Sequence, residues 1–234
     1  MGFGTKNYLL RTKIKSYCTR LKQLHLMKRI YLAVALAFMI SLIGCGPKSI
    51  TTDTENLDSI SLAWIPFAGS EDVVFAFDTS RMVFYGAGRS SYYENVRYMT
   101  DQGGFIGAQE DYYAELERQN LFFNSASTPY FIRYYLERNK GELGDWDILK
   151  VSVGDGDYYQ NEMKIVTYET ESSDKGENFT YKPELVLNGI QFDSVYFKKQ
   201  ERRPFEIYYT QKLGVVAFKV SSTELWTIMQ DTIK

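Results

Sequence analysis

The sequence predicts an all-β domain, mainly antiparallel, built either as a β-sandwich or as a curved, half-barrel sheet with at most one or two short helices. Three observations carry this. Beyond residue 57 the hydrophobic pattern has a period of two, the apolar positions favour aromatic and β-branched side chains, and the runs end at Gly, Asn, Asp or Ser. The chain of 234 residues holds 19 Tyr, 15 Phe and 3 Trp, 16% aromatic, and such rings suit a pleated, half-buried surface.

The elements follow in order. Ser61–Ile65, Val73–Phe77 and Met82–Tyr85 are short apolar runs closed by Pro66, Asp78 and Gly86, and each reads as a strand. Gly103-Gly104 marks a loop. Asp111–Phe123 is ambiguous: Tyr112, Leu116 and Gln119 fall at helical spacing, while Tyr112-Tyr113 and Phe122-Phe123 favour extended chain. It is assigned as a strand, with a short helix as the alternative. Pro129–Glu137, Ile148–Val153 and Lys164–Glu169 alternate cleanly. Leu185–Leu187 and Ile190–Lys198 flank Asn188-Gly189, the pair that best tolerates the positive φ of a type I′ hairpin turn. Phe205–Thr210 and Val215–Val220 are joined through Gly214, and Glu224–Met229 follows Ser221-Ser222-Thr223, so the C-terminal fifty residues read as an antiparallel meander.

Charge separates the chain into unlike parts. The net of −2 comes from 27 Lys+Arg against 29 Asp+Glu, but eight of the basic residues and no acid lie within residues 1–44. The remainder therefore carries 19 basic against 29 acidic side chains, a net of −10. Residues 1–44 read as a leader, in which Lys28-Arg29 precede a run of 14 largely apolar residues, 30–43, too short for a bilayer span and right for a signal peptide. Residues 27–44 suffice as that peptide, so translation is expected from Met1 or Met27. Leu42-Ile43-Gly44-Cys45 resembles the bacterial lipobox, which implies diacylglycerol and an N-acyl chain such as palmitate on Cys45, with cleavage before it. Residues 45–56 then read as the lipidated cysteine and a flexible tether with a reach of about 20 Å. Residues 57–234 read as a single β-rich domain.

The sole histidine, His25, and Cys18 lie in the leader. A mature chain without histidine and with no cysteine beyond Cys45 excludes Ser-His-Asp and Cys-His hydrolysis, thiol redox chemistry and Cys/His metal sites. No catalytic, metal-ligating or cofactor-binding residue is therefore assigned, and the acidic domain predicts no nucleic-acid partner. A third-ranked function, carboxylate-dependent glycan hydrolysis, stays open because acidic pairs are plentiful.

Two stretches carry a resemblance. Trp64-Ile65-Pro66-Phe67-Ala68-Gly69, Val73-Val74-Phe75 and Phe84-Tyr85-Gly86-Ala87-Gly88-Arg89 open the domain; Asn188-Gly189, Asp193-Ser194-Val195-Tyr196, Leu213-Gly214-Val215-Val216-Ala217-Phe218-Lys219 and Glu224-Leu225-Trp226 end it. Together these resemble small uncharacterised outer-membrane lipoproteins of Bacteroidota-type bacteria. The resemblance implies an outer-membrane location and β architecture and supplies no site residues. Surface-exposed lipoproteins of such bacteria carry acids directly after the cysteine; here the first is Asp53, which favours the periplasmic face.

Candidate contact residues are chosen by residue type and setting. Aromatic doublets at Tyr92-Tyr93, Phe122-Phe123, Tyr134-Tyr135, Tyr158-Tyr159 and Tyr208-Tyr209 place one ring on each face of a strand, filling a core or facing a partner. Tyr92, Tyr134 and Tyr208 are taken as candidate contacts. Arg89, after Gly86-Ala87-Gly88, is a candidate anion or carboxylate partner, the glycines reading as a bulged strand end rather than a phosphate cradle. Lys198 and Arg202 belong to a basic hairpin tip, Lys198-Lys199 and Arg202-Arg203, suited to an acidic partner or anionic lipid. Asp155-Gly156-Asp157 with Glu162 lacks the spacing of a calcium loop and reads as a turn; Asp145 and Asp147 share a strand face and read as solvated. The function expected is a lipid-anchored, non-catalytic envelope module that binds an envelope protein, glycan or lipid. The alternative is a lipid or lipoprotein carrier with an aromatic-lined half-barrel.

Overall fold

Alternating side chains turn most of this chain into strand. The computed structural model describes residues 27–36, 48–101, 109–141, 144–156, 159–170, 176–200 and 205–229. The chain parts into two units, residues 1–48 with 101–110 and residues 49–100 with 111–234. In the first, residues 27–36 form helix α1, exposed along its length. Among the described residues no helix is long and apolar enough to cross a membrane. Cys45 and Arg202 lie outside the described residues.

The sheet is built from β1 (Lys48–Glu55), β2 (Asp72–Phe77), β3 (Ser80–Asp101), β4 (Glu110–Ser125), β5 (Tyr130–Lys140), β6 (Asp145–Asp155), β7 (Tyr159–Glu169), β8 (Thr180–Leu187), β9 (Ile190–Lys199), β10 (Glu206–Thr210), β11 (Gly214–Lys219) and β12 (Leu225–Ile228), with one short helix, α2 (Ser59–Leu62). Eleven strands hydrogen-bond in the order β7-β6-β5-β4-β3-β2-β12-β11-β10-β9-β8, and β1 lies against β4. Each strand from β2 to β7, and again from β8 to β12, thus lies beside its successor, while β12 pairs antiparallel with β2. The order is circular with one break, between β7 and β8. A single sheet curls into a half-barrel, which decides between the two all-β architectures compatible with the sequence.

Side chains hold the break together. Asn161 on β7 donates through Nδ2 to the carbonyls of Lys198 and Phe205, both at 3.3 Å, and Lys198 Nζ donates to the Glu162 carbonyl at 2.6 Å. The free edge of β7 is covered by the residues that lead to β8: Lys164 N donates to Asn178 Oδ1 and Val166 N to Glu177 Oε1. Edge groups satisfied in this way do not template another chain. At the opposite edge, β8 carries Pro183, which has no amide hydrogen to offer.

Residues 57–67 lie across the inside of the curl, with Ser59, Ile60, Ala63 and Pro66 left exposed. Leu57, Ile65 and Phe67 are buried, and Trp64 stacks on Tyr209 with the ring planes 5° apart. Phe67 packs against Phe123 and Tyr134, and Phe75, Phe84 and Phe218 meet edge to face. This crossing corrects the expectation of a strand at Ser61–Ile65. Asp58 accepts a hydrogen bond from Ile60 N and starts α2, and Ser61 is buried with its hydroxyl accepting from Thr167 Oγ1 at 2.8 Å. A five-residue apolar run does not distinguish a strand from a segment threaded through a core.

Asp111–Phe123 lies within β4, and the helix alternative falls away. Met82–Tyr85 is only the start of β3, which runs on through polar residues to Asp101. Lys48–Glu55, read as tether, forms β1: its polar side chains make no core, but β4 offers it a hydrogen-bonding edge. The Asn188-Gly189 hairpin is present with φ of 49° and 80°.

Candidate functional site

A connected group of polar and aromatic side chains lies on the outer face of β3–β6, and strand pairing places it. In β4 and β5, Leu121 opposes Tyr134 and Asn120 opposes Tyr135. Tyr134 points inward, 1% exposed, and its hydroxyl accepts from Val215 N at 2.9 Å. Burial raises its pKa. Tyr134 is therefore core, which corrects its choice as a contact. Tyr135 points outward by the same alternation, together with Asn120, Phe122, Arg133 and, on β6, Lys150.

These side chains form one connected set. The Tyr92 and Tyr135 hydroxyls are 3.3 Å apart, and Arg133 and Lys150 both sit over the Tyr135 ring, at 5.1 and 5.4 Å from its centre. Arg133 Nε donates to Asn120 Oδ1 at 2.7 Å, and Lys150 pairs with Glu137 at 2.7 Å. Phe122 and Phe131 stack at 5.3 Å, and Arg118 donates to Glu94 at 2.9 Å. Burial, followed by the hydrogen bond to Tyr92, raises the Tyr135 pKa, so this phenol stays protonated. Tyr92, 44% exposed, Arg133 and Glu94 are exposed members. Arg133 binds an amide and a ring rather than a carboxylate among the described residues, which leaves its terminal nitrogens toward solvent.

Among the described residues expected to make contacts, only Tyr92 belongs to this face. Arg89 is turned inward: Nε and Nη2 donate to Gln119 Oε1, and Nη1 reaches the Phe67 carbonyl at 3.3 Å. The glycines beside it serve close packing. Gly86 N donates to the Glu71 carbonyl and Gly88 N to the Gly69 carbonyl, and a Cβ on Gly86 would stand 2.3 Å from the Gly69 carbonyl oxygen. Tyr208 is 7% exposed, stacked on Phe197 and bonded to Glu206. Its neighbour Tyr209 is fully buried and bonds the Trp64 carbonyl, so this doublet fills space on both sides of β10. Lys198 is spent on the Glu162 carbonyl, and Lys199 pairs with Glu206.

Arg133, Tyr135, Asn120 and Lys150 were missed by residue-type reasoning. A doublet does not say which of its two rings faces inward, and only the neighbours Arg133 and Tyr135, two apart, hint at a shared outer face.

The acidic pairs also find places. Asp147 is fully buried, where Arg138 Nη1 donates to it at 3.2 Å and Asp58 N at 2.9 Å. The same guanidinium reaches Asp145 at 3.2 Å and Glu55 at 3.7 Å. Asp145 and Asp147 are thus clamped by one cation rather than solvated. Asp155-Gly156 does form the turn between β6 and β7, with Gly156 at a φ of 62°. No group of three or more possible metal ligands occurs among the described residues. A cleft of about 710 Å³ between β2, β12 and the β8–β9 turn is lined in part by Asn188, whose amide nitrogen donates to Leu225 O and Thr227 Oγ1.

Fold and face together define the class: an antiparallel half-barrel with a plugged interior and an outer face of tyrosine, arginine and amide groups. Compared with known proteins, the chain matches no family model, no curated protein and no solved structure.

Proposed function

We propose that this chain is a lipid-anchored, non-catalytic envelope protein, acylated at Cys45 and held at the periplasmic face of the outer membrane, whose outer β3–β6 face binds an envelope glycan. The single observation that carries this reading is the Tyr92–Tyr135–Arg133 set. Its two phenol hydroxyls meet each other and its side chains are already fixed by hydrogen bonds and cation–ring contacts, so binding has little rotamer freedom left to remove. The exposed Tyr92 ring offers sugar C–H faces a stacking surface, while Arg133 and the Asn120 amide offer hydrogen bonds. An apolar protein interface would need a broader desolvated centre. The plugged interior supports this reading over a carrier, because Trp64, Ile65 and Phe67 occupy the space that a lipid chain would take.

The test is retention of the purified protein on immobilised envelope glycan fractions. Wild type should be retained, and Tyr92→Ala and Arg133→Ala should each weaken retention about tenfold, the loss of one stacking or charge-assisted contact. Equal retention of all three would overturn the assignment of this face.

A further inference from the structure

The segment nearest the anchor is built as part of the sheet. β1 takes the edge of β4 with partners that advance together: Thr52 Oγ1 donates to Tyr113 O, Thr54 Oγ1 to Glu115 Oε2, and beyond the strand Leu57 N to Glu117 Oε2. Such a constant offset makes β1 parallel to β4. On that edge β5 pairs with Arg118–Asn124 and no further, and its chain ends at Lys140. β1 therefore continues the sheet where β5 stops.

Glu55 closes the join. Its carboxylate meets Lys140 Nζ at 2.7 Å and Arg138 Nη2 at 3.7 Å, and three residues later Asp58 N is held by the buried Asp147. Residues 49–55 are exposed apart from half-buried Ile50 and Glu55, so hydrogen bonds and this ion cluster hold the strand, without an apolar core beneath it. Polar strand without a core is poor value for stability; its worth is mechanical.

We infer that β1, with residues 94–100 of β3 and 111–117 of β4, is a stalk that stands on the lipid surface and sets the height of the sheet above it. The inference rests on the reading of Cys45 as the acylated residue. Two residues, Gly46 and Pro47, separate Cys45 from Lys48, three chain steps and a slack of at most about 10 Å, whereas seven residues of β1 span about 23 Å. A stalk of this kind replaces the freely jointed tether that composition alone suggests. It would hold the Tyr92–Tyr135 face at a fixed distance from the bilayer.

The experiment uses the full chain expressed in its envelope, purified as processed and reconstituted into phosphatidylcholine vesicles carrying headgroup nitroxide quenchers. With no other cysteine in the mature sequence, Arg97→Cys on the arm and Ala126→Cys beyond the far end of β4 each give a second, non-anchor site for a fluorophore. Fluorescence at position 97 should be quenched several-fold more than at 126, and Thr52→Pro, which removes a strand amide, should erase most of that contrast. Amides 49–55 should exchange at least about a hundredfold more slowly than free peptide. Equal quenching at the two positions, or free-peptide exchange over 49–55, in a protein whose intact mass shows the acyl groups, would overturn the stalk while leaving the anchor. An intact mass without acyl groups would remove the anchor reading, and the stalk's role with it, even if the strand is protected.

Discussion

Tyr134 and Tyr135 are chemically identical neighbours, and the strand sends one to the core and the other to the surface. The buried hydroxyl of Tyr134 accepts the Val215 amide, so Tyr134→Phe strands that amide without a partner. The expected cost is about 1–3 kcal/mol, read as a lower urea midpoint at unchanged slope. Glu117 provides the pH counterpart. Partial burial pushes its pKa up, but hydrogen bonds from Leu57 N, Gln119 and Ser91, with Arg89 nearby, bring it below the ordinary 4.5. Glu71 shifts the same way: burial raises it, and the Ala68 and Gly69 amides outweigh that. A carboxyl lowered in the folded state adds stability that is complete above its unfolded pKa and is lost as pH falls through the folded value. Glu117→Gln should thus lower stability at neutral pH and flatten the acid decline between about pH 5 and 3. Acid unfolding followed by near-ultraviolet circular dichroism checks it, and an unchanged acid limb would exclude this role.

Among the elements, the crossing of residues 66–69 over the start of β3 shows why glycines stand there. Gly69 has a φ of 106°, and a Cβ on Gly86 would collide with its carbonyl, so two backbones touch where side chains would hold them apart. Gly86→Ala is expected to cost about 1–3 kcal/mol by overpacking, measurable as a drop in thermal midpoint, whereas a phosphate-cradle role would leave stability intact. Strands and turns were largely legible because period two and Asn188-Gly189 are local properties. Lys48–Glu55 and the distal half of β3 were not, because polar sequence carries no amphipathic signal and pairs only when an edge is offered. α2 was hidden for the converse reason: the burial of Ser61 answers to its hydrogen bond with Thr167 in the core rather than to a strand period.

At the scale of the whole molecule, β12 is the element that joins the two meanders. It lies between β11 and β2, with Trp226 opposite Phe218 and Ile228 opposite Phe75. A chain ending before Leu225 would leave Phe75, Phe218 and two strand edges uncovered. It should accumulate as aggregate, seen as void-volume elution in size exclusion, and a monodisperse monomer would show that the ring needs no such closure.

The sequence by itself determined the all-β class, most of the strands and the type I′ turn, because alternation and turn chemistry act over a few residues. It also determined the net acidic charge of residues 45–234 and the absence of histidine from them, which composition alone states. Only the tertiary structure decided that the sheet curls into a half-barrel, that residues 57–67 lie across its inside, that Tyr134 faces inward, that Arg89 and Tyr208 are taken up by contacts within the fold, and that Arg133 and Tyr135 face out. Those outcomes depend on which strands become neighbours and which face the plug covers. Both are set by contacts between residues far apart in the chain, such as Tyr134 with Val215 and Asp58 with Asp147.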